Sequence, residues 1–289
     1  MILIAGLINI ETTLRIDGFP LEYAPVRYPF FGVNSTVSGV GYNVAKALVT
    51  LGHDIRFHSL IGKDHAGKLV LTELEQLGID TTHVLQQLDY TAQSVILYDA
   101  EGKRAINTDL KDIQDQVYPQ VDFSGVDLAV LCNINFSRPM LMQAKAAGIP
   151  IATDVHAISN INDDYNRDYM SHADILFQSH EHLPVQPEQW IKLIWERYHT
   201  PIVVVGMGSN GALLGFENRI EHIPAVYTRP IVNTIGAGDA LFSAFVHGYI
   251  RTHDPYAALK QAVVFASYKI GVAGAADGFL TADALATYL

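Results

Sequence analysis

The sequence predicts an α/β fold in which a mostly parallel sheet is covered by helices on both faces. Short apolar runs of strand length alternate with longer segments whose apolar residues recur at helical spacing. This alternation is typical of parallel strands, because the crossovers that join them are usually helices. The predicted strands cover residues 2–8, 55–61, 128–133, 149–154, 175–177 and 202–205. The predicted helices cover residues 44–51, 68–77, 139–147, 188–198 and 239–251.

The size and apolar content of the chain indicate one domain that covers residues 1–289. A chain of 289 residues with 49% apolar residues can bury a large core. No internal repeat or low-complexity linker marks a boundary between two domains. We therefore treat the chain as a single α/β domain.

The charge and the single cysteine exclude several classes of partner and site. A formal net charge of −11 would repel a phosphate backbone, so we expect neither a nucleic acid nor a membrane as partner. Cys132 alone can form neither an intrachain disulfide nor a cysteine metal cluster. The apolar opening lacks a basic region and a cleavage site, and no segment reaches membrane-spanning length. We expect a cytoplasmic protein that binds a small molecule.

Two segments, at about residues 12–37 and 93–109, interrupt the alternation of strands and helices. Both contain residues that alternate between polar and apolar, and the second has a tight turn at Glu101 and Gly102. This pattern predicts antiparallel strands that project from the main sheet. We interpret them as a small β-sheet lid, and an edge hairpin without functional motion is the alternative.

The segment NTIGAGDALFSAF, residues 233–245, places three small residues and one carboxylate at the start of an apolar helix. Gly236, Ala237 and Gly238 leave no bulk over the backbone, so their N–H groups can face an anion at the helix N-terminus. Asp239 follows directly and is the one side chain beside that anion that can accept a proton. The segment therefore predicts an anion site with an adjacent base.

The segment GKDHAGKL, residues 62–69, nearly matches a phosphate-binding P-loop and also lies between a strand and a helix. The match fails at Leu69, where a P-loop has Ser or Thr to bind Mg²⁺. Asp64 would also place a carboxylate inside the phosphate site. We therefore interpret this segment as a tight strand-to-helix connection.

The segment SGVGYNVAKALVTLG, residues 38–52, places two glycines before another apolar helix. Gly39 and Gly41 permit a close approach to the backbone. Asn43 offers both a donor and an acceptor near the start of the helix. Such a turn suits the hydroxyl groups of a polyol, and an ordinary helix start explains the same residues equally well.

Polar side chains follow several of the predicted strands at the point where each strand ends. Asn9 and Glu11 follow the first strand, and Asp154 closes the strand at residues 149–154. Asn133 and Asn135 follow the apolar run LAVLC at residues 128–132. Because the carboxyl ends of parallel strands form the binding edge of a sheet, these side chains predict a pocket there.

Together, these segments resemble the ribokinase-like (PfkB-type) carbohydrate kinase family, and the resemblance covers essentially the whole chain. NTIGAGDALFSAF is similar to the C-terminal signature of that family, and SGVGYNVAKALVTLG is similar to its N-terminal glycine signature. GLINIE (residues 6–11), DAEGKR (99–104) and VVVGMGSNGALL (203–214) resemble its opening strand, its lid turn and its nucleotide-contacting strand and turn. The order and approximate spacing of all five segments agree with the family.

The resemblance implies a three-layer α/β/α fold with a small β-sheet lid, and an ATP-dependent kinase that uses Mg²⁺. Such a kinase would transfer the γ-phosphate to a primary hydroxyl of a furanose sugar or a nucleoside. Asp239 would be the catalytic base, and the N–H groups of Gly236, Ala237 and Gly238 would form the anion hole. The residues that would hold substrate hydroxyls are Asn9, Glu11, Gly39, Gly41 and Asn43. The residues that would border the nucleotide are Gly208 and Thr234.

Four residues depart from the family pattern. Asn233 stands where the family has Asp beside its monovalent-cation site, so the sequence leaves open whether such a cation binds. Glu11 replaces an Asp. Ser179 and His182 occupy the positions of the Asn-x-x-Glu motif associated with Mg²⁺ and phosphate. The alternative function is therefore a catalytically weakened sugar-binding or regulatory protein.

Aromatic residues suggest a nucleoside among the candidate substrates. Tyr42 stands beside Asn43, and the first lid segment contains Tyr23, Tyr28, Phe30 and Phe31. These rings predict stacking on a base, or equally they pack the lid or a dimer interface.

We also expect a homodimer joined through the lid. Leu14, Ile16, Val95 and Leu97 would otherwise face water on one side of a small isolated sheet. Members of the family often pair in this way, so the resemblance supports the same expectation.

Overall fold

The computed structural model describes residues 1–101 and 103–289, and the predicted turn residue Gly102 lies outside the described residues. The strands are, in chain order, β1 (Ile2–Ala5), β2 (Asn9–Arg15), β3 (Val33–Ser38), β4 (Ile55–Gly62), β5 (Val84–Leu88), β6 (Gln93–Tyr98), β7 (Arg104–Asp109), β8 (Leu128–Leu131), β9 (Ile151–Asp154), β10 (Ile175–Ser179), β11 (Ile202–Gly206), β12 (Ala212–Phe216) and β13 (Arg219–Ile223). The helices are α1 (Val40–Thr50), α2 (His65–Gln76), α3 (Arg138–Ala146), α4 (Arg167–His172), α5 (Pro187–Tyr198), α6 (Ala237–Thr252), α7 (Pro255–Lys269) and α8 (Ala282–Ala286). Short 3₁₀ turns occur at Ile113–Asp115, Asn135–Ser137 and Gly208–Asn210.

The large sheet has nine strands within the described residues, in the order β13-β12-β11-β10-β9-β8-β1-β4-β5. All pairs from β5 across to β11 are parallel, whereas β12 and β13 pair antiparallel at one edge. All six predicted strands lie in this sheet, with ends that differ by at most three residues. β5, β12 and β13 extend the predicted sheet at its two edges.

Helices cover both faces of the large sheet. In β1, Ile2 and Ile4 belong to one apolar core while Leu3 belongs to the other, because successive side chains of a strand point to opposite faces. The first core contains residues of α1, α2, α6 and α7, and the second contains residues of α3, α4 and α5. The predicted three-layer α/β/α fold is confirmed.

The helix α7 is absent from the sequence prediction although it packs along the length of α6. Asp254 is its N-cap residue. The Asp254 carboxylate accepts hydrogen bonds from the N–H groups of Tyr256 (2.9 Å) and Ala257 (3.1 Å). Its buried residues lie around most of its circumference. The apolar stripe that identifies a surface helix is therefore not visible in its sequence.

A second, separate sheet has four strands in the described part of the chain, in the order β3-β2-β6-β7. It combines the two segments that interrupt the sequence pattern, and a small separate sheet was predicted from them. The outer pairs are antiparallel, as expected, but β2 and β6 pair in parallel. The alternation of residues does not reveal this, because both pairings give the same period.

The four apolar residues expected on the outer face of the small sheet, the face that would pair in a dimer, differ in their exposure. Val95 is 44% exposed, whereas Leu14 and Leu97 are half-buried. Ile16 is buried within the single chain, so the expectation that it would face water without a partner is wrong. It lies just beyond β2, where its N–H donates to the carbonyl of Tyr98 (2.9 Å). Of the aromatic residues between β2 and β3, Phe19 is half-buried, and the four named above are exposed: Tyr23, Tyr28, Phe30 and Phe31.

None of the helices in residues 1–101 and 103–289 is both long enough and apolar enough to cross a lipid bilayer.

Candidate active site

The N-terminus of α6 presents backbone N–H groups without a capping side chain. Gly236 occupies the N-cap position with φ 75°, a left-handed conformation that glycine adopts readily. A Cβ at Gly236 would lie 2.3 Å from the carbonyl oxygen of Ala275, so no other residue fits there without movement. Within the described residues, the N–H groups of Gly236 and Gly238 donate to no other protein group. Ala237 differs, since its N–H donates to the carbonyl of Thr234 (3.2 Å).

Asp239 lies in the first turn of α6, half-buried, with its carboxylate directed at α1. Its Oδ2 accepts a hydrogen bond from Nδ2 of the buried Asn43, at 2.6 Å. Burial raises the pKa of Asp239, and the nearby carboxylate of Asp154 raises it further, while Asn43 and His156 oppose the shift. Asp239 is therefore a stronger proton acceptor than an exposed aspartate when it is ionised.

A chain of polar side chains continues from Asn43 into the small sheet. The Ser38 hydroxyl lies 3.4 Å from Oδ1 of Asn43 and 3.1 Å from Oε2 of Glu11, and it can donate to one of them at a time. Burial raises the pKa of Glu11, and repulsion from Asp239 adds to this effect. The structure thus brings Glu11, Asn43 and Asp239 together, as expected from the sequence.

Two buried acceptor atoms beside this chain have no hydrogen-bond donor among the residues that the structure describes. They are Oε1 of Glu11 and Oδ1 of Asn9. The Nδ2 group of Asn9 donates to the Ser94 hydroxyl on β6, which fixes the orientation of the amide. Buried polar atoms are nearly always paired in folded proteins, so these two acceptors indicate a ligand that donates hydrogen bonds.

Gly39 and Gly41 allow α1 to approach the residues that follow β1. A Cβ at Gly39 would lie 2.7 Å from the carbonyl oxygen of Leu7, and Gly39 also has φ 105°. A Cβ at Gly41 would lie 2.5 Å from the carbonyl carbon of Gly6. These contacts give both glycines a packing role that positions Asn43, and their contact with substrate hydroxyls stays a prediction.

Gly208 and Thr234, the two residues expected to border the nucleotide, lie in different loops: Gly208 follows β11 and Thr234 precedes α6. Gly208 starts the turn between β11 and β12 with φ 58°. An open groove of about 490 Å³ lies beside this turn, lined by residues that include Met207, Ser209 and His222. The Thr234 hydroxyl accepts a long hydrogen bond from Nη1 of Arg104 on β7, at 3.4 Å. This contact joins the small sheet to the loop before α6.

The sequence did not single out His156 and Lys269, although both affect Asp239. His156 follows β9 in a left-handed conformation, and its backbone N–H donates to Oδ1 of Asp154 at 2.8 Å. Lys269, the last residue of α7, is fully buried and donates to the backbone carbonyl of Ile235. The positive charges of both residues would lower the pKa of Asp239. The sequence contains one signal that could have identified Lys269, since it is a basic residue in an otherwise apolar segment. It contains no such signal for His156.

Several side chains proposed for the pocket have other roles. Tyr42 is fully buried and donates its hydroxyl to Glu73 at 2.7 Å, so the suggestion that its ring stacks on a base is wrong. Asn133 donates to Asn166 at 2.9 Å, and Asn135 donates to the carbonyl of Gln114 at 3.2 Å. These amides stabilise the loops after β8.

The two residues at the positions of the Asn-x-x-Glu motif lie after β10. The Ser179 hydroxyl accepts a hydrogen bond from the N–H of Glu181 at 3.1 Å. His182 is exposed and has φ 66°. Across residues 1–101 and 103–289, no three His, Cys, Asp or Glu side chains come together in a way that could hold a metal ion.

Comparison with known proteins connects this geometry to a family. The sequence model of the pfkB family of carbohydrate kinases matches residues 1–282. The ATP-dependent ribose-1-phosphate kinase of Halopiger xanaduensis is 27% identical over 301 residues, which cover 100% of this chain and 97% of the relative.

Solved structures share the fold over nearly the whole chain. A microbiome-derived acarbose kinase superposes with a TM-score of 0.88 at 23% identity, covering 99% of this chain and 97% of the other. The Burkholderia thailandensis nucleoside kinase, in complex with inosine, superposes with a TM-score of 0.80 at 18% identity, covering 100% of this chain and 95% of the other. The ribokinase-like fold is thereby confirmed. The chain belongs to the pfkB family of carbohydrate kinases, and it is a phosphotransferase.

Proposed function

We propose that this protein is an ATP-dependent kinase that transfers the γ-phosphate to a primary hydroxyl of a furanose sugar or a nucleoside. One observation supports this most directly. The carboxylate of Asp239 lies at a helix N-terminus whose Gly236 and Gly238 N–H groups have no protein acceptor within the described residues. A proton acceptor and an anion site are therefore adjacent, as phosphoryl transfer to a hydroxyl requires.

Asp239 is the proposed general base. The attacking hydroxyl must lose its proton as the bond to phosphorus forms, and a positioned carboxylate accepts it. Burial raises the pKa of Asp239, which makes its carboxylate a better acceptor. The hydrogen bond from Asn43 (2.6 Å) holds one oxygen of the carboxylate in place, which leaves the other for the substrate.

The N-terminus of α6 is the proposed anion hole. Fixed N–H groups at the positive end of a helix stabilise the negative charge that develops on the transferred phosphoryl group. An added Cβ at Gly238 would meet open space, so a phosphate has access to the backbone there. Ala237 already donates to Thr234, so its N–H contributes only if that bond exchanges for a phosphate oxygen.

The unpaired acceptors of Asn9 and Glu11 are the proposed substrate anchors. A sugar hydroxyl donates a hydrogen bond, and each unpaired buried acceptor would otherwise lower stability by roughly 1–3 kcal/mol. A furanose offers neighbouring hydroxyls to both acceptors while its primary hydroxyl faces Asp239. Relatives described as kinases of ribose 1-phosphate and of nucleosides support this substrate class.

The groove beside Gly208 is the proposed nucleotide site. Mg²⁺ usually binds through phosphates, water and one or two carboxylates, so it needs no preformed protein cage. Asp154 closes β9, and its charge raises the pKa of Asp239. Asp154 would therefore be the carboxylate for the ion. When bound, Mg²⁺ neutralises negative charge on the phosphates.

The small sheet is the proposed lid, and its outer face is the proposed dimer interface. Glu11 and Asn9 lie on β2, and Arg104 on β7 contacts Thr234, which supports a sheet that borders both proposed substrate sites. On the outer face, Val95 is exposed and Leu14 and Leu97 are half-buried. Sedimentation at micromolar concentration should give a dimer, and Val95→Asp should give a monomer. A wild-type monomer under these conditions would rule out the dimer.

A coupled assay for ADP release tests the proposed reaction. The purified protein is given ATP and Mg²⁺ with ribose, deoxyribose, fructose, ribose 1-phosphate, inosine or adenosine. At least one should release ADP well above the rate without sugar, and its analogue without the primary hydroxyl should not. Thermal shifts with the same compounds show which ones bind. Sugar binding without any ADP release would instead identify a binding or regulatory protein.

A further inference from the structure

Lys269 is a fully buried lysine that the proposed reaction does not yet explain. It is 0% exposed, and it pairs with no carboxylate within 4 Å in the described part of the chain. Burial lowers its pKa to about 8, while Asp239, Asp277 and Glu11 act at longer range to raise it. The side chain is therefore mostly protonated at neutral pH. An unpaired buried cation costs stability, which calls for a functional explanation.

The Lys269 ammonium donates to a backbone group of the proposed anion hole. Its acceptor is the carbonyl oxygen of Ile235. That carbonyl belongs to the same peptide group as the N–H of Gly236, which has no protein acceptor in the described residues. A hydrogen bond to the carbonyl polarises the peptide group and strengthens its N–H as a donor. It also prevents the peptide from turning its oxygen towards the phosphate.

The same loop does not fit a free monovalent cation. Oδ1 of Asn233 accepts the Ile235 N–H at 2.7 Å, and its Nδ2 donates to the carbonyl of Ala273 at 3.2 Å. The carbonyl of Ile235 is bonded to the lysine. Oxygen atoms that could bind a cation are thus already used by donors of the chain, and an amide replaces the family's carboxylate.

We propose that the Lys269 ammonium is a built-in cation of the active site, which replaces a free monovalent ion and positions the Ile235–Gly236 peptide for the phosphate. This inference rests on the proposed kinase function for its kinetic consequences. Lys269 is a positioning residue, because it acts through the peptide and not on the substrate. Its place at the C-terminal end of α7 also favours a positive charge.

The first test measures thermal unfolding of the protein without substrates. Wild type and Lys269→Ala are compared in tetramethylammonium, potassium and methylammonium chloride at equal ionic strength. Wild type should unfold at the same temperature in all three salts. The unfolding temperature of Lys269→Ala should rise in potassium or methylammonium, because a small cation can enter the vacated space and bind Ile235. A potassium-specific rise in wild type, or no cation-specific rise in the variant, would overturn the proposal.

The second test measures turnover of the best substrate by Lys269→Met. Removal of one direct anion-hole donor costs roughly 10²–10³-fold in turnover, and an indirect effect through the peptide should be smaller, about 10- to 100-fold. The KM for the sugar should change little, and the unfolding temperature should not fall, since a buried charge is removed. Lys46→Met is the matched control, because Lys46 lies near the carboxylates of Glu73 (3.5 Å) and Asp277 (3.8 Å) and should not affect turnover.

Unchanged turnover in Lys269→Met, or a loss of turnover that is matched by a lower unfolding temperature, would show a structural role only. If no compound in the panel is phosphorylated, the proposed function fails, and the thermal test still decides whether Lys269 fills a cation site. If Lys269→Ala does not fold, the proposal is tested by the unfolding of wild type in the three salts and by the turnover of Lys269→Met.

Discussion

The segments at the starts of α2 and α6 both contain glycine, but only the start of α6 is open to a ligand. At α2, Asp64 is the N-cap and accepts hydrogen bonds from the N–H of Gly67 (2.9 Å) and from the hydroxyl and N–H of Thr91 (2.7 and 3.1 Å). At α6, the N-cap is Gly236, which has no side chain to satisfy the first turn. The carboxylate of Asp239 is instead directed at Asn43.

The difference determines which anion each helix N-terminus binds: a carboxylate of the chain itself at α2, or a ligand at α6. The positive end of a helix attracts negative charge in either case. Burial alone would raise the pKa of Asp64, but its bonds to Thr91 and Gly67 outweigh this and lower it, so the carboxylate stays ionised as the internal anion of α2. The sequence of this segment nearly matches a P-loop, yet the structure fills the site with its own side chain. The interpretation as a tight connection is confirmed.

The largest expected effect comes from Asp239→Asn, which keeps the shape of the side chain and removes the proton acceptor. Turnover should fall by about 10²–10⁴-fold, the usual contribution of a positioned base. Nucleotide affinity should be nearly unchanged in a binding assay. Because burial raises the pKa of Asp239 in the folded state, its charge opposes folding at neutral pH, and the variant should unfold at the same or a higher temperature.

Two controls accompany this variant. Asp64→Asn changes the carboxylate at the other helix start and should leave turnover unchanged. Asn233→Asp restores the family residue and should not abolish activity. Near-normal turnover by Asp239→Asn would contradict the proposed mechanism.

Gly236→Ala should reduce turnover by about 10- to 100-fold, because the displaced loop no longer presents fixed N–H donors. The new Cβ would meet the Ala275 carbonyl at 2.3 Å, and φ 75° is unfavourable for alanine. The free energy of unfolding should fall by about 1–3 kcal/mol. Urea unfolding and steady-state kinetics measure the two effects.

Gly238→Ala is the matched comparison, since a Cβ there meets open space and its φ is not positive. Its stability should be unchanged or slightly higher, because alanine favours helices. Equal losses of stability in both variants would contradict the role assigned to the Gly236 backbone.

Turnover should also decrease in acid, by up to about tenfold per pH unit below the pKa of Asp239. Burial raises this pKa above 3.8, so the decrease should begin at a higher pH than for an exposed aspartate. The effect of pH on stability has the opposite direction to its effect on turnover. Asp239 binds its proton more tightly when folded, so its contribution to stability becomes more favourable as pH falls through the folded pKa. A turnover profile without any decrease on the acid side, over the pH range in which the protein stays folded, would argue against Asp239 as base.

The smallest effect on activity is expected from Asp64→Ala, which removes the N-cap of α2. Loss of a capping side chain costs about 0.5–2 kcal/mol. The carboxylate also bonds the hydroxyl and N–H of Thr91, so the upper part of that range is expected from urea unfolding. Turnover should stay within twofold of wild type. A large loss of turnover without a loss of stability would mean that α2 takes part in catalysis.

The sequence predicted the central architecture well because its signals are local. The strand lengths, the small residues before Asp239 and the start of α1 can each be recognised within about fifteen residues. The helix α7 was not predicted, because a helix buried on most sides shows no apolar stripe. Tyr42 was misinterpreted for a related reason, since its partner Glu73 lies on another helix.

The parts of the candidate site that could not be predicted depend on contacts between distant segments. Lys269 meets Ile235 only after α6 and α7 have packed together. His156 has no motif around it, and its proximity to Asp239 follows from the order of β9 and its neighbours in the sheet. Likewise, the unpaired acceptors of Asn9 and Glu11 become visible only when all other donors are placed.

The position of β2 has a consequence for how the enzyme responds to incomplete substrates. Asn9 and Glu11 belong to the small sheet, whereas Asn43 and Asp239 belong to helices on the large sheet. A sugar that binds Asn9 and Glu11 and reacts at Asp239 therefore bridges the small sheet and the large sheet with its helices. A deoxy analogue lacks one of the hydroxyls that bind Asn9 or Glu11. We expect it to bind more weakly and also to react more slowly, because less binding energy holds the small sheet in position against the large sheet. Water, which cannot bridge them, should be a poor phosphate acceptor, which would protect ATP from hydrolysis when no sugar is bound.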